Sequence, residues 1–347
     1  MSRSSYDLWT ILNRENLVSG NMPEFQHLPT PWYIRVIHGV GGWLSACCIV
    51  LFLALSMLPI IEETIPSLII SLICLITSRT LYVKKANSDY FSQLALASSF
   101  VAQGLILYHL FEAGLSHSNV ALLFSLLHVG LFFLFNNYLH RVISSFLVVM
   151  SLAYPMVQMQ AEHLYISILC AAFILVFYSE YKLTPTSKFI PAAYGVMIST
   201  LMLMFSMFSP SFYNELMNMP SEGYIPSWVS NIAIAGLFLY IVHGLTKQLN
   251  TQKSLLAIIY IISGLFSVIT LEVSGFALAL AIILLGFNNG NRVLLTTGII
   301  SSLAFISYYY YNLETTLFVK SLIMMGAGLL LLLGWYFVNK ELGASHE

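Results

Sequence analysis

Long apolar runs separated by short polar turns fill almost the whole chain after residue 31. Each run holds about 20 residues, which is the length that an α-helix needs to cross a hydrocarbon core about 30 Å thick. Runs such as IISLICLI and LALAIILLGF lack the apolar–polar alternation of a membrane β-strand. The pattern therefore predicts an all-α fold, a polytopic transmembrane helical bundle of about 12 helices.

The predicted helices lie between the polar turns. They cover residues 32–58, 65–83, 90–113, 119–135, 141–159, 163–181, 189–208, 227–245, 254–270, 275–287, 293–311 and 315–338. Glycines in the first helix favour close packing against a neighbour, because a residue without a side chain lets two backbones approach. These glycines are Gly39, Gly41 and Gly42.

Short segments flank the predicted membrane domain, which covers residues 32–339. Residues 1–31 are predicted to hold an amphipathic helix, with Leu8 and Ile11 on one face, followed by a proline-rich linker. This helix either lies on the membrane surface or packs on the ends of the bundle. Residues 340–347 form a short tail.

Charged residues are distributed unevenly between the two sets of turns. If the N-terminus is cytoplasmic, every basic residue except Lys320 falls at a cytoplasmic helix end or in a cytoplasmic segment, whereas acidic residues dominate the opposite turns. Lysine and arginine favour the cytoplasmic side of a membrane. The distribution therefore predicts that both the N- and C-termini are cytoplasmic.

Composition agrees with this class of protein. Hydrophobic residues make up 58% of the chain and charged residues 8%, whereas a soluble domain carries about 25% charged residues. The net charge of −1 argues against a nucleic-acid partner. The lipid bilayer is the expected partner of the apolar helices.

Lys320 is a candidate functional residue because of its depth. It stands five residues inside the twelfth predicted helix, about 8 Å from the outer end. It could extend to the lipid headgroups, stack on nearby tyrosines or pair with Glu314. It could instead bind an anionic group or form a proton-coupled pair, because ionisable side chains inside a membrane are candidates for function.

Histidines in two neighbouring predicted helices are further candidates. His109 and Glu112 are three residues apart near the outer end of the third helix, so they share one face. His128 lies near the middle of the fourth helix, at a different depth, which argues against a joint metal or proton site. His128 alone is either a proton relay or a neutral histidine hydrogen-bonded to a neighbouring helix.

The longest predicted outer loop, residues 209–228, is rich in aromatic residues, methionines and prolines. Its candidate docking residues are Tyr213, Met217, Met219, Tyr224 and Trp228. Such residues suit the binding of another protein. The loop could equally fold over the end of the bundle.

Motifs for catalysis are missing from the sequence, which contains neither HExxH nor GxSxG. The turn GFNNGNR at residues 286–292 lacks the spacing of a phosphate-binding loop and is predicted to be a tight connection between helices. We therefore assign no catalytic residue, no metal site and no cofactor.

Three stretches carry a resemblance to a known family: LWTILNRENLVSG at residues 8–20, PWYIRVIHGVGGWLSA at 31–46, and LLGFNNGNRVLLTTGIISSLAFISYYYYNLETTLFVKSL at 284–322. The chain resembles the bacterial integral-membrane family named domain of unknown function 4401. The resemblance implies a multi-pass protein of the bacterial inner membrane with no assigned activity. It also implies a partner, a small membrane-anchored protein that carries a GDYxxLxY motif.

Two functions from different classes remain open. The leading hypothesis is a non-enzymatic membrane subunit that partners an envelope or periplasmic-side protein, based on the outer loop and the companion that the resemblance implies. The alternative is a transporter or channel for a small solute, in which intramembrane polar residues such as His128 take part. An intramembrane enzyme ranks third, because it needs two polar side chains at one depth.

Overall fold

A computed structural model describes most of the membrane domain. The described residues are 12–15, 33–34, 37–45, 47–48, 51, 62–84, 88–180, 188–207, 226–248, 253–312, 316–319, 321–322, 325, 329 and 332. Within these ranges the chain is helical and contains no β-strand. The predicted all-α class is therefore confirmed.

Each predicted helix from the second to the eleventh coincides with an observed one. In chain order these are α1 (Thr64–Lys84), α2 (Asp89–Glu112), α3 (His117–Leu134), α4 (Tyr138–Gln158), α5 (Glu162–Tyr178), α6 (Phe189–Met207), α7 (Trp228–Gln248), α8 (Lys253–Ile269), α9 (Ser274–Asn288) and α10 (Arg292–Asn312). A short 3-10 turn, Thr270–Val273, joins α8 to α9. The first and twelfth predicted helices are described only in part, with helical residues at 37–45 and 317–319.

Seven of these helices are long and apolar enough to cross a membrane, namely α1, α2, α3, α4, α6, α7 and α10. The remaining three, α5, α8 and α9, are equally apolar but shorter. The outward surfaces of the helices carry large apolar side chains, such as Leu126 in α3, Ile168 in α5 and Leu303 in α10. This is expected of helices that face lipid tails. The total of about 12 crossings and the cytoplasmic position of both termini stay predictions.

The first compact unit comprises residues 1–109. Its helix α1 buries a row of small polar residues: Ser67, Ser71 and Ser78. Gly42 lies against α2, where an added Cβ would stand 2.9 Å from the carbonyl oxygen of Tyr90. A Cβ on Gly41 would meet nothing within 4 Å, so the close packing predicted for the first helix is found at Gly42 and not at Gly41.

The second compact unit comprises residues 110–347 and holds the larger apolar core. The core lies among α5, α6, α7 and α9, and its fully buried side chains include Phe173, Ile174, Met197, Ile241 and Leu278. These residues come from helices that are far apart in sequence. Their packing therefore fixes the ends of α5, α6 and α9 relative to each other.

Successive helices of the second unit alternate in direction, so that charges of one sign gather at one end. We call the basic end the one that carries Arg141, Lys188, Lys247 and Arg292. Glu112 and Glu162 lie at the opposite helix ends. Glu180, which follows the last turn of α5, is an acidic residue at the basic end.

The hairpin of α9 and α10 is closely packed at Gly286. A Cβ added there would stand 2.5 Å from the backbone nitrogen of Leu295. Helix α9 ends at Asn288, and the chain turns at Gly290, whose φ of +61° is favourable for glycine. The backbone amide of Asn291 donates to the carbonyl of Gly286 at 2.9 Å. The tight connection predicted for residues 286–292 is confirmed, and it orients the asparagines that follow α9.

Candidate functional site: a buried histidine pair between two helices

A short turn brings ionisable side chains of α3 and α4 together. The amide of Phe135 ends α3 by donating to the Leu131 carbonyl at 3.0 Å, and the side chain of Asn137 begins α4 by accepting from the His140 amide at 3.1 Å. These end signals leave three residues for the connection, so α3 and α4 are antiparallel neighbours. The first turn of α4 is therefore held against the last turns of α3.

His128 lies inside α3, and its exposed fraction is 0%. The ring packs edge-on against Phe124, with centroids 4.4 Å apart. Neither ring nitrogen has a hydrogen-bond partner among the described residues. A buried polar group without a partner costs about 1–3 kcal/mol, so burial of this histidine lowers the stability of the protein.

His140 is the second buried histidine, with an exposed fraction of 1%. Its Nδ1 lies 3.1 Å from the hydroxyl of Ser144, one turn further along α4, and its ring lies 4.2 Å from that of Phe135. His128 is close enough for a charge on one ring to act on the other. The two imidazoles therefore form a pair between α3 and α4.

Arg141 follows in the same turn and is 8% exposed. Its guanidinium carbon lies 5.8 Å from the ring centre of Phe132, while its Nε has no hydrogen-bond partner within the described part of the chain. A cation over an aromatic face gains about 0.5–2 kcal/mol. That gain is smaller than the several kcal/mol that burial of an unpaired charge costs.

A second cation lies near this cluster. The ammonium of Lys188 stands 5.7 Å from the ring centre of Phe133, the residue next to Phe132 on α3. Lys188 is exposed, in contrast to Arg141. Two positive charges thus lie over neighbouring phenylalanines at the basic end of α3.

The chemistry available at this site is proton exchange and hydrogen-bond donation. The imidazole nitrogens can donate or accept a hydrogen bond and can exchange a proton, and Arg141 keeps its charge at all physiological pH values. In the described ranges, no group of three or more histidine, cysteine, aspartate or glutamate residues is placed to hold a metal ion. We refer to His128, His140 and Arg141 as the buried basic cluster.

A different polar group surrounds Glu180, also at the basic end. The side-chain amide of Asn289 donates to one carboxylate oxygen of Glu180 and to the carbonyl of Phe177, both at 2.8 Å. The amide of Asn291 reaches the other carboxylate oxygen at 3.3 Å. The turn after α9 therefore holds the end of α5 through two asparagines.

Asn291 extends this group to two further helices. Its side-chain amide donates to the hydroxyl of Tyr194 in α6 at 2.6 Å, and its oxygen accepts from the amide of Leu294 at 3.3 Å, so it caps α10. The ring of Tyr194 lies 6.4 Å from that of Tyr138 at the start of α4. We refer to Glu180, Tyr194, Asn289 and Asn291 as the asparagine clamp.

The predicted site residues that the structure describes are spread over three helices, α2, α3 and α7. His109 is buried in the last turn of α2 with its ring 5.0 Å from that of Tyr108, whereas Glu112 is exposed. His128 belongs to the other compact unit. Trp228 opens α7 and is 60% exposed. The remaining candidates lie outside the described residues: Tyr213, Met217, Met219, Tyr224, Glu314 and Lys320.

Sequence reasoning missed His140, Arg141 and Glu180 as site residues. The four-residue spacing of His140 and Ser144 is a helical-face signal that could have drawn attention to the start of α4. Glu180 breaks the segregation of charges, because it is acidic among basic helix ends. The contact between α3 and α4 has no such signal, because it depends on which helix faces pack.

Apolar helices with ionisable side chains buried between them define an α-helical membrane protein. Within that class, the chain belongs to the family described as Domain of unknown function (DUF4401), whose model matches residues 31–341. This match confirms the resemblance carried by the stretches at 31–46 and 284–322. Searches of curated proteins and of solved structures give no match to this chain.

Proposed function

We propose that this protein is a transporter or channel for a small solute, in which the histidine pair between α3 and α4 exchanges protons or contacts the solute. One observation carries the proposal: His128 is completely buried, and neither of its ring nitrogens has a partner among the described residues. Burial of this unpaired imidazole lowers stability by about 1–3 kcal/mol, which favours a functional role for His128 over a packing role.

The test is proton flux in vesicles that contain the purified full-length protein. An imposed membrane potential drives protons inward, with and without a mixture of acetate, phosphate and amino acids outside. We expect His128→Ala to reduce the flux at least about tenfold. The matched control is His243→Ala, because His243 is exposed and bonded to Tyr260 at 2.8 Å; it should retain the wild-type flux. Equal flux in both variants would contradict the proposal.

A second candidate is the non-enzymatic membrane subunit that partners an envelope protein. Its support is Trp228, which is 60% exposed at the start of α7, next to the outer loop. Tryptophan is enriched in protein interfaces, although it is also common at membrane–water boundaries. The partner proposed from family resemblance is a small membrane-anchored protein with a GDYxxLxY motif.

Co-purification separates the two candidates. The subunit hypothesis expects the GDYxxLxY protein in stoichiometric amount, a loss of that partner in Trp228→Ala, and full recovery in His128→Ala. Phe287→Ala is a suitable control, because Phe287 is also exposed but lies in the last turn of α9, at the basic end. Recovery of the protein alone from native membranes would count against the subunit.

We also propose the bacterial inner membrane as the location, with both termini in the cytoplasm. The gathering of Arg141, Lys188, Lys247 and Arg292 at one end of the second unit supports this orientation. Tags at either terminus should be accessible only from the cytoplasmic side of intact cells. Labelling of a C-terminal tag from the periplasm would reverse the assignment.

A further inference from the structure

We infer that the buried basic cluster binds an oxyanion, the carboxylate or phosphate group of a small solute. The inference rests on the proposed transport function and extends it by naming the chemical class of the solute. Arg141 provides a permanent positive charge, and His128 provides a hydrogen-bond donor deeper between α3 and α4.

Charge is the first reason. Arg141 is nine-tenths buried, and its Nε is buried without a hydrogen-bond partner among the described residues. Buried arginines are ordinarily paired with an anion, because the charge loses its hydration on burial. The face of Phe132 at 5.8 Å compensates only part of that loss. The cluster therefore carries a positive charge that an anion would neutralise.

Hydrogen bonding is the second reason. The Nε–H of Arg141 and both ring nitrogens of His128 lack partners among the described residues. A neutral imidazole carries one N–H donor, and a guanidinium carries only donors. Carboxylate and phosphate oxygens accept such bonds, and those to arginine are charge-assisted. A cation would meet the charge of Arg141 instead of an acceptor, so the cluster selects against cations.

The carboxylate of Glu180 does not fill this role. It lies at the same end of the helices, but its two oxygens accept from Asn289 and Asn291. The asparagine clamp thus satisfies both oxygens of this carboxylate with neutral amide donors. The positive charge at the start of α4 is left for a ligand.

Depth distinguishes two sources of the oxyanion. Arg141 is the fourth residue of α4, about 5 Å from the helix end, which a lipid headgroup phosphate can reach. His128 is six residues from the end of α3, about 9 Å deep. We expect a small solute to contact both residues, and a lipid headgroup to contact Arg141 alone.

The test for a soluble anion is thermal stability of the purified full-length protein in detergent. Potassium phosphate and potassium acetate, each at about 10 mM, are compared with potassium chloride at equal ionic strength. We expect phosphate or acetate to raise the unfolding midpoint by about 3 °C or more in wild type and by less than about 1 °C in Arg141→Gln. Arg292→Gln is the matched control, because Arg292 lies exposed at the same end, and it should respond as wild type does.

The second arm tests lipid. Native mass spectrometry records how much phosphatidylglycerol stays bound after extraction from vesicles of phosphatidylglycerol and phosphatidylcholine. Loss of bound phosphatidylglycerol in Arg141→Gln but not in Arg292→Gln, without any response to soluble anions, assigns the oxyanion to a lipid headgroup. Identical behaviour of wild type, Arg141→Gln and Arg292→Gln in both arms overturns the inference.

Two further variants keep the test decisive if Arg141→Gln does not fold. Arg141→Lys retains the charge and should retain most of the phosphate response, whereas His128→Gln should weaken it severalfold. Failure of the oxyanion inference can be distinguished from failure of the transport proposal. If anions stabilise the protein but vesicles show no flux, the oxyanion site stands and the transport proposal fails. If flux depends on His128 but anions do not stabilise the protein, the transport proposal stands and the oxyanion site fails.

Discussion

The asparagine clamp and the buried basic cluster lie at the same end of the second unit but differ in how their polar groups are satisfied. In the clamp, both oxygens of Glu180 accept bonds, and the amide of Asn291 also reaches Tyr194. In the cluster, His128 and the Nε of Arg141 have no partner within the described residues. Arg141 of the cluster and Asn291 of the clamp both lie near helix ends, so position alone does not explain the difference.

The difference separates polar groups that stabilise the fold from polar groups that are available for function. A satisfied network in a low-dielectric interior holds helices in one arrangement, because breaking it would leave several groups unpaired. An unsatisfied group lowers stability and is retained only where it has another use. The clamp ties α5, α6 and α10 together, whereas the cluster keeps donors available between α3 and α4.

The largest expected effect comes from removing Asn291, which bonds to two other residues of the clamp. Asn291→Ala loses the contacts to Glu180 and Tyr194 together with the cap of α10. We expect the free energy of unfolding to fall by about 2–4 kcal/mol, measured as a lower thermal midpoint in detergent. Asn119→Ala is the control, because Asn119 is an exposed asparagine in the first turn of α3. Equal midpoints for the two variants would remove the clamp's structural role.

The next effect concerns the packing that orients the clamp. Gly286→Ala places a Cβ 2.5 Å from the backbone nitrogen of Leu295, so α9 and α10 must separate. A loss of about 1–3 kcal/mol is expected. Gly236→Ala provides the comparison, because Gly236 lies within α7 with nothing within 4 Å of an added Cβ, and alanine there should stabilise by about 0.5–1 kcal/mol. If both substitutions shift the midpoint in the same direction, close packing of the hairpin is not the cause.

The buried basic cluster should respond in the opposite direction. His128→Leu replaces two unpaired nitrogens with apolar atoms of similar volume, so we expect a gain of about 1–2 kcal/mol together with loss of vesicle flux. His243→Leu is the control. It removes the bond to the Tyr260 hydroxyl at 2.8 Å and should not stabilise the protein. A lower midpoint in His128→Leu would indicate that the ring contributes favourable packing that exceeds the cost of its nitrogens.

The helices were predictable because each one is an apolar run bounded by polar turns. The prediction for residues 65–83 corresponds to Thr64–Lys84, and even the short run at 275–287 corresponds to Ser274–Asn288. The tight turn at 286–292 could also be predicted, since glycine and asparagine adopt the conformations that such a connection needs. These features depend on local sequence.

The site could be predicted only in part, because it depends on contacts between helices. His128 is visible in the sequence as an ionisable residue within an apolar run, but its electrostatic interaction with His140 depends on which faces of α3 and α4 meet. In a membrane helix both the lipid-facing and the packed sides are apolar, so hydrophobic periodicity does not mark the packed face. Glu180 and Asn289 are 109 positions apart, and no local pattern predicts such a contact.

The smallest expected effect tests whether His140 belongs with the satisfied or the unsatisfied group. Ser144→Ala removes the hydroxyl that lies 3.1 Å from Nδ1 of His140, which should lower stability by about 0.5–1.5 kcal/mol. In a double-mutant cycle, Ser144→Ala and His140→Leu should show a coupling of about 1 kcal/mol, because they share this bond. Ser144→Ala combined with His128→Leu should be additive, since Ser144 has no bond to His128. Coupling to His128 instead would mean that the two imidazoles and the hydroxyl act as one connected network, and the contrast with the asparagine clamp would then be one of degree.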